Sequence, residues 1–179
     1  MLKSILIGLA ALVTVLLVVV ATRPADFRIT RSTVLAAPPA LVFAQVNDFH
    51  NWNGWSPWAK LDPAVKNTFG GPAAGIGSTF TWDGNSDVGA GKMTVVESSP
   101  EERIRLRMEF LKPFAATHTA EFTFKPHDKG TAMTWTMEGT NGFMGKAIGL
   151  IMNCDKMIGD QFEQGFANLK SIVEKPVAS

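Results

Sequence analysis

Three histidines, one cysteine and a set of methionines and aromatics are the side chains of this 179-residue chain best suited to chemistry or recognition. His118 stands out. Residues 117–125 alternate, which places His118 on one face with Ala120, Phe122 and Phe124, and Thr119, Glu121 and Thr123 on the other. On an apolar face a histidine can hydrogen-bond a ligand carbonyl or act as a general base near neutral pH. A strand-end histidine that reaches solvent or a core partner is the plainer reading, so His118 is only a weak catalytic candidate. His50 falls in a loop beside Trp52, and His127 in a turn ending at Gly130. The three are too scattered for a metal site. Cys154 is alone, so no internal disulfide and no CxxC motif can form. No nucleophile elbow occurs. The pairs Gly75/Gly77 and Gly89/Gly91 precede strand patterns, which makes them turn glycines and not phosphate cradles. No metal or cofactor is implied.

The apolar residues are more informative. The inward faces of the strand patterns carry Phe80, Trp82, Met93, Met108, Phe110, Phe122, Met133, Trp135 and Met137. On the helical C-terminal segment, Ile151, Met157, Ile158 and Phe162 are placed to close over them. Methionine is flexible and polarisable, so such a wall suits a hydrophobic ligand of variable shape. The same residues would equally fill a solid core. Trp52, Trp55 and Trp58 crowd one loop, where they either pack it on the sheet or line a cavity mouth. Arg103, Arg105 and Arg107 form a row read as a solvated outer face, paired across strands with Glu121 or Glu138. Contact with anionic lipid headgroups is the alternative use of that row.

These residues need elements to hold them. Residues 27–35 read as a strand ending at Pro38-Pro39, and residues 40–49 as a short amphipathic helix. Residues 50–63 read as loop. Five strands with period two follow from Gly77, ending near Glu138. Apolar residues then recur at steps of three and four from Met144 to Val173, a long helix. Its glycines predict a bend, or a start nearer Asn153. The order is α+β: an antiparallel sheet wrapped around a C-terminal helix.

Composition divides the chain in two. Residues 1–21 are almost wholly apolar, with Lys3 as the only charge, and the rest balances 16 basic against 16 acidic side chains. That balance argues against a nucleic-acid-binding protein, which would show a basic stripe. The uncharged run over residues 5–21 would extend about 26 Å as a helix, close to the hydrocarbon thickness of a bilayer. It reads as a single-pass membrane anchor, with a cleaved signal peptide as the rival. Arg23, Arg28 and Arg31 after the run favour a cytoplasmic domain, whereas the short tail before Lys3 resembles an exporting signal anchor.

Several stretches together resemble a known family. They include Asn47-Asp48, Trp52, Trp55-Ser56-Pro57-Trp58, Asp62-Pro63, the loop from Gly70-Gly71-Pro72 to Gly77, and Trp82. Gly89 to Met93, Phe110 to Pro113 and the closing 162–170 segment continue the match. The likeness is to the SRPBCC proteins, the START and birch-pollen-allergen-like superfamily, in its polyketide cyclase/dehydrase-like branch, over residues 26–174. It implies a helix-grip fold, with an apolar cavity between a curved sheet and its helix, and binding of a lipid, sterol, polyketide or similar molecule. It does not by itself imply catalysis. The expectation is therefore a segment 1–22 that anchors or targets the chain, and a domain 23–179 binding a hydrophobic small molecule or lipid. The lining is expected from Trp55, His118 and the inward residues named above. Two alternatives stand beside it: a cyclase or dehydratase with His118 as base, and an interaction or stress-response module with a solid core.

Overall fold

The computed structural model describes residues 2–174. An apolar helix, α1 (Leu2–Thr22), leads into strand β1 (Asp26–Leu35) through Arg23, Pro24 and Ala25. Pro38 and Pro39 then start helix α2 (Pro39–Asn47), where the missing N–H of proline costs nothing in the first turn. The tryptophan segment is helical and not a loop as expected: 3₁₀ turns at Phe49–Asn51 and Pro57–Lys60 flank a single turn, α3 (Trp52–Trp55). Its period is too short to register as a helical repeat in sequence.

Seven strands form one antiparallel sheet. They are β1, β2 (Lys66–Gly70), β3 (Thr79–Asp83), β4 (Ala90–Ser99), β5 (Arg103–Lys112), β6 (Ala116–His127) and β7 (Gly130–Thr140), in the order β1-β7-β6-β5-β4-β3-β2. The edge strand β2 was not foreseen, being only five residues of mixed polarity. Register shifts in the β4–β5 pair, at Ala90/Gly91 and Val95/Glu97, add the local twist and bend that curl the sheet. The arginine row lies on the outer face as anticipated, with Arg105 paired to Glu121 at 3.1 Å, Arg107 to Glu109 at 2.9 Å, and Arg103 to Glu97. Glu138 pairs instead with Arg28 at 2.6 Å.

The C-terminal helical pattern is two helices, α4 (Phe143–Ile151) and α5 (Cys154–Val173), broken at Met152 and Asn153. Asn153 ends the ambiguity by capping α5, its Oδ1 accepting from the Lys156 N–H at 3.0 Å, and Asp155 adds a favourable charge to the first turn. α5 lies across the concave face. Arg31 on β1 ties its start, donating to Asp155 Oδ2 at 3.0 Å, and Glu174 ties its end, accepting from the Ala36 N–H at 2.8 Å. Phe162, Phe166, Leu169 and Val173 pack into the sheet.

The register gives the sheet two distinct ends. The pairs Asp26↔Thr140, Ala116↔Phe110, Lys112↔Ala90 and Asp83↔Lys66 stand together at one end. That end therefore carries the α1–β1 link, the 84–89 and 113–115 loops and the passage into α4. The turns at 71–78 and 127–130 lie at the other. α1 itself is bare along its length except for Val20. By length and composition it could cross a bilayer, a test that a signal sequence also passes.

Candidate functional site

The core is not solid. Between the concave sheet, the first half of α5, α3 and the Pro57–Lys60 turn lies a cavity of about 320 Å³. That is the lower end of the range for small-molecule sites, ~300–1,000 Å³. Register explains its walls. One row across the sheet runs Phe80, Met93, Met108, and the next runs Leu106, Ala120, Met137. Phe80, Met93, Met108, Ala120 and Met137 all reach the void, and Trp82, Phe110 and Trp135 from flanking rows complete the sheet side. Ile158 and Phe162 of α5 form the opposite wall, with Trp52 and Trp58 at the side. Trp135 stacks on Phe162 with ring centroids 4.0 Å apart and planes 8° from parallel, joining sheet to helix.

Local chemistry holds these rings in place. The Trp82 indole N–H donates to the Val88 carbonyl at 3.0 Å, fastening the 84–89 loop over the cavity. Its ring lies flat against β4 because residue 91 is glycine; a Cβ there would sit 2.5 Å from the Trp82 ring. Trp52 donates to the Val46 carbonyl at 2.9 Å and Trp55 to the Gln45 carbonyl at 3.1 Å, so the tryptophan turn is bolted to α2. Both earlier readings of this cluster therefore hold in part: Trp52 and Trp58 face the cavity, whereas Trp55 is core.

Polar groups are few. Asn67 on β2 faces the void, and its Oδ1 is buried without a hydrogen-bond partner among the described residues. Exposed Ser86, Asp87 and Lys112 stand at the mouth, where Lys112 is paired with Asp83 at 3.0 Å. Among the described residues no cluster of histidine, cysteine or carboxylates could hold a metal ion.

Nine of the expected lining residues meet around the void: Phe80, Trp82, Met93, Met108, Phe110, Trp135, Met137, Ile158 and Phe162. Trp55, Phe122 and Met133 are instead fully packed in the core behind it. Ile151 ends α4 and points away, 89% exposed. Met157 precedes Ile158 by one position, about 100° around the helix, and so emerges on the outer side. Asn67 was not anticipated as lining, and Trp52 and Trp58 were expected there only as the alternative to packing the loop on the sheet. For the tryptophans the signal was their crowding with Pro57; for Asn67 it was alternation with Phe69 on the unrecognised β2.

His118 is displaced from the wall by one ring. It continues the row of Met108 and sits against Gly139, where any Cβ would strike its imidazole. Phe27 lies edge-on at 4.8 Å and Phe110 at 5.4 Å. Both ring nitrogens are shielded from solvent and lack partners among the described residues. Burial therefore lowers the pKa from the ordinary 6.5 and favours the neutral ring. The unfolded chain takes up the proton first, so this histidine removes stability as pH falls through 6.5. Urea unfolding at about pH 5 and pH 7 should show a drop in stability that shrinks in His118→Phe. An identical drop in both proteins would show that His118 is not its source. His50 lies far from the mouth, stacked on Phe69 at 4.3 Å and hydrogen-bonded to Asp48 at 2.7 Å.

Comparison with known proteins agrees with this architecture. Solved structures similar to this chain include the Chromobacterium violaceum protein CV1439, with TM-score 0.60 and 19% identity, covering 86% of this chain and 100% of that one. The Mesorhizobium loti protein MLL2253 matches with TM-score 0.61 and 14% identity over 83% of this chain and 97% of that one. The di-domain ARO/CYC StfQ of the steffimycin biosynthetic pathway matches with TM-score 0.60 and 13% identity, over 84% of this chain and 51% of its own. At such identities the likeness establishes the fold. No curated protein sequence matches the chain. The sequence profile described as polyketide cyclase / dehydrase and lipid transport covers residues 26–174. With the helix grip and its cavity in place, the chain belongs to that family, the polyketide cyclase/dehydrase branch of the SRPBCC proteins.

Proposed function

We propose that the domain holds one hydrophobic small molecule or lipid in the cavity, and that α1 tethers it to a bilayer. The observation that carries this reading is the void itself, walled by methionines and aromatic rings, with the Asn67 Oδ1 buried beside it and without a partner among the described residues. A preformed apolar space favours an apolar ligand body, and one amide suits a single polar group on it. The family's range, which includes lipid transport, supports the same ligand class. The cyclase reading gains no support from geometry, since His118 stands behind Phe110 and not on the wall.

The test uses the full chain in nanodiscs and a brominated fatty acid. All five tryptophans lie in the domain and none in α1, and Trp52, Trp58, Trp82 and Trp135 line the cavity. Saturable quenching of tryptophan fluorescence at about one acid per chain is the expected result. Quenching that only tracks partition of the acid into the disc would remove the ligand-binding reading.

A further inference from the structure

The cavity mouth and the end of α1 share one end of the sheet. The mouth residues Ser86, Asp87, Lys112 and Pro113 come from the 84–89 loop and the β5–β6 connection. The α1–β1 link and the start of α4 flank the same end, because Asp26 pairs with Thr140. α4 packs against α1. Lys146, its one charged residue, reaches back to donate to the Ala21 carbonyl at 2.8 Å and the Arg23 carbonyl at 3.1 Å. Those carbonyls close the C-terminal end of α1, where a cation is favoured. The only charge of α4 is thus spent on α1, and the rest of its surface is apolar.

Much of that surface is left uncovered by the described residues. α4 contains no buried residue, and Phe143, Met144, Ile151 and the following Met152 are exposed. Across the mouth, Leu111 and Phe114 are exposed too, although they flank Lys112 and Pro113, which line it. Large apolar side chains concentrated on one end of a domain mark an interaction surface. Continuity with α1 identifies what covers them. A helix that emerges from a bilayer and is clamped at its last turn holds its neighbour at the interface, the depth at which apolar helices lie in the plane of the membrane.

We propose that α4 lies in the interface of the bilayer that α1 enters, and that with Leu111 and Phe114 it seats the cavity mouth on the lipid surface. This docking rests on the tether reading above and specifies how the domain sits on the membrane. An apolar ligand would then pass between bilayer and cavity without crossing bulk water.

Depth-dependent fluorescence quenching tests it with the full chain in phosphatidylcholine vesicles. Single cysteines in a Cys154→Ser background carry an environment-sensitive dye at Ile151→Cys, Phe114→Cys, the far-end control Lys129→Cys, and Leu12→Cys within α1. Lipids brominated near the headgroup should quench positions 151 and 114 about three-fold more than 129, with aqueous iodide showing the reverse order. Deeply brominated lipids should quench position 12. Quenching at 12, with 151 and 114 behaving like 129, overturns docking and leaves the tether standing. An unquenched position 12 overturns the tether, and the docking with it. Positions 151 and 114 shielded from iodide yet untouched by bromine would mean that a second copy of the chain covers them, which also overturns lipid docking.

Discussion

Ala120→Phe is expected to weaken capture of the brominated fatty acid by about ten-fold or more, the equivalent of about 1.4 kcal/mol. Ala120 is the smallest side chain on the sheet wall of the cavity, between Leu106 and Met137 in register, and only 2% exposed. Its Cβ borders the void, so a benzyl group there grows into empty space and takes a sizeable part of about 320 Å³. Elsewhere in a close-packed core the same enlargement would cost roughly 1–3 kcal/mol in strain. Here the fold should tolerate it, and the loss should fall on the ligand. Ala120→Val, with a smaller gain in volume, should weaken capture less. Thermal unfolding monitored beside binding separates the two effects. Unchanged affinity in a folded Ala120→Phe protein would show that the ligand does not occupy this void.

Trp135→Ala should remove roughly 3–5 kcal/mol of stability, the range for deleting a buried large aromatic. Trp135 is 3% exposed and touches more rings than its row alone would supply. Phe162 stacks on it at 4.0 Å, Phe122 lies at 4.8 Å, and Trp55 and Trp58 meet it edge-on at 5.7 and 5.9 Å. It thereby joins β7 to α5 and to the tryptophan turn at once. Removing the indole enlarges the cavity into a gap that the rigid neighbouring rings cannot fill. Trp135→Phe keeps a stacking partner for Phe162 and should lose less than half as much. Denaturant midpoints for the two variants give the comparison, and a loss below about 1 kcal/mol for Trp135→Ala would contradict this central role.

The sheet was legible because its strands carry long alternating runs. From Arg103 to Glu138, chemistry and periodicity point the same way, and the inward residues emerge inward. Resemblance supplied the helix grip. The helical break was legible as well, since glycines weaken the segment before Asn153 and Asn153 itself is a capping residue. What escaped was short or depended on register. β2 has five residues, and its polarity is decided by partners far along the chain. The division between wall and core cannot be read from alternation, which gives Met133 and Met137 the same face. Only pairing shows that Met137 neighbours Ala120 at the void while Met133 sits against Phe124 in the solid part. His118 illustrates the same limit: its face and row are those of Met108, but Phe27 and Phe110 pack against its ring and it does not reach the void. Ile151 followed the helical period, yet the break after it turned that period away from the sheet.

The link between α1 and β1 is only Arg23, Pro24 and Ala25. With α1 in a bilayer, so short a leash fixes the concentration of lipid that the cavity meets. Short connections give effective concentrations on the order of millimolar. A pocket exposed to its ligand at that level can be filled while binding only weakly, and weak binding permits rapid release. On the tether reading, the arrangement would therefore suit turnover of cargo at one membrane better than long retention of a single molecule.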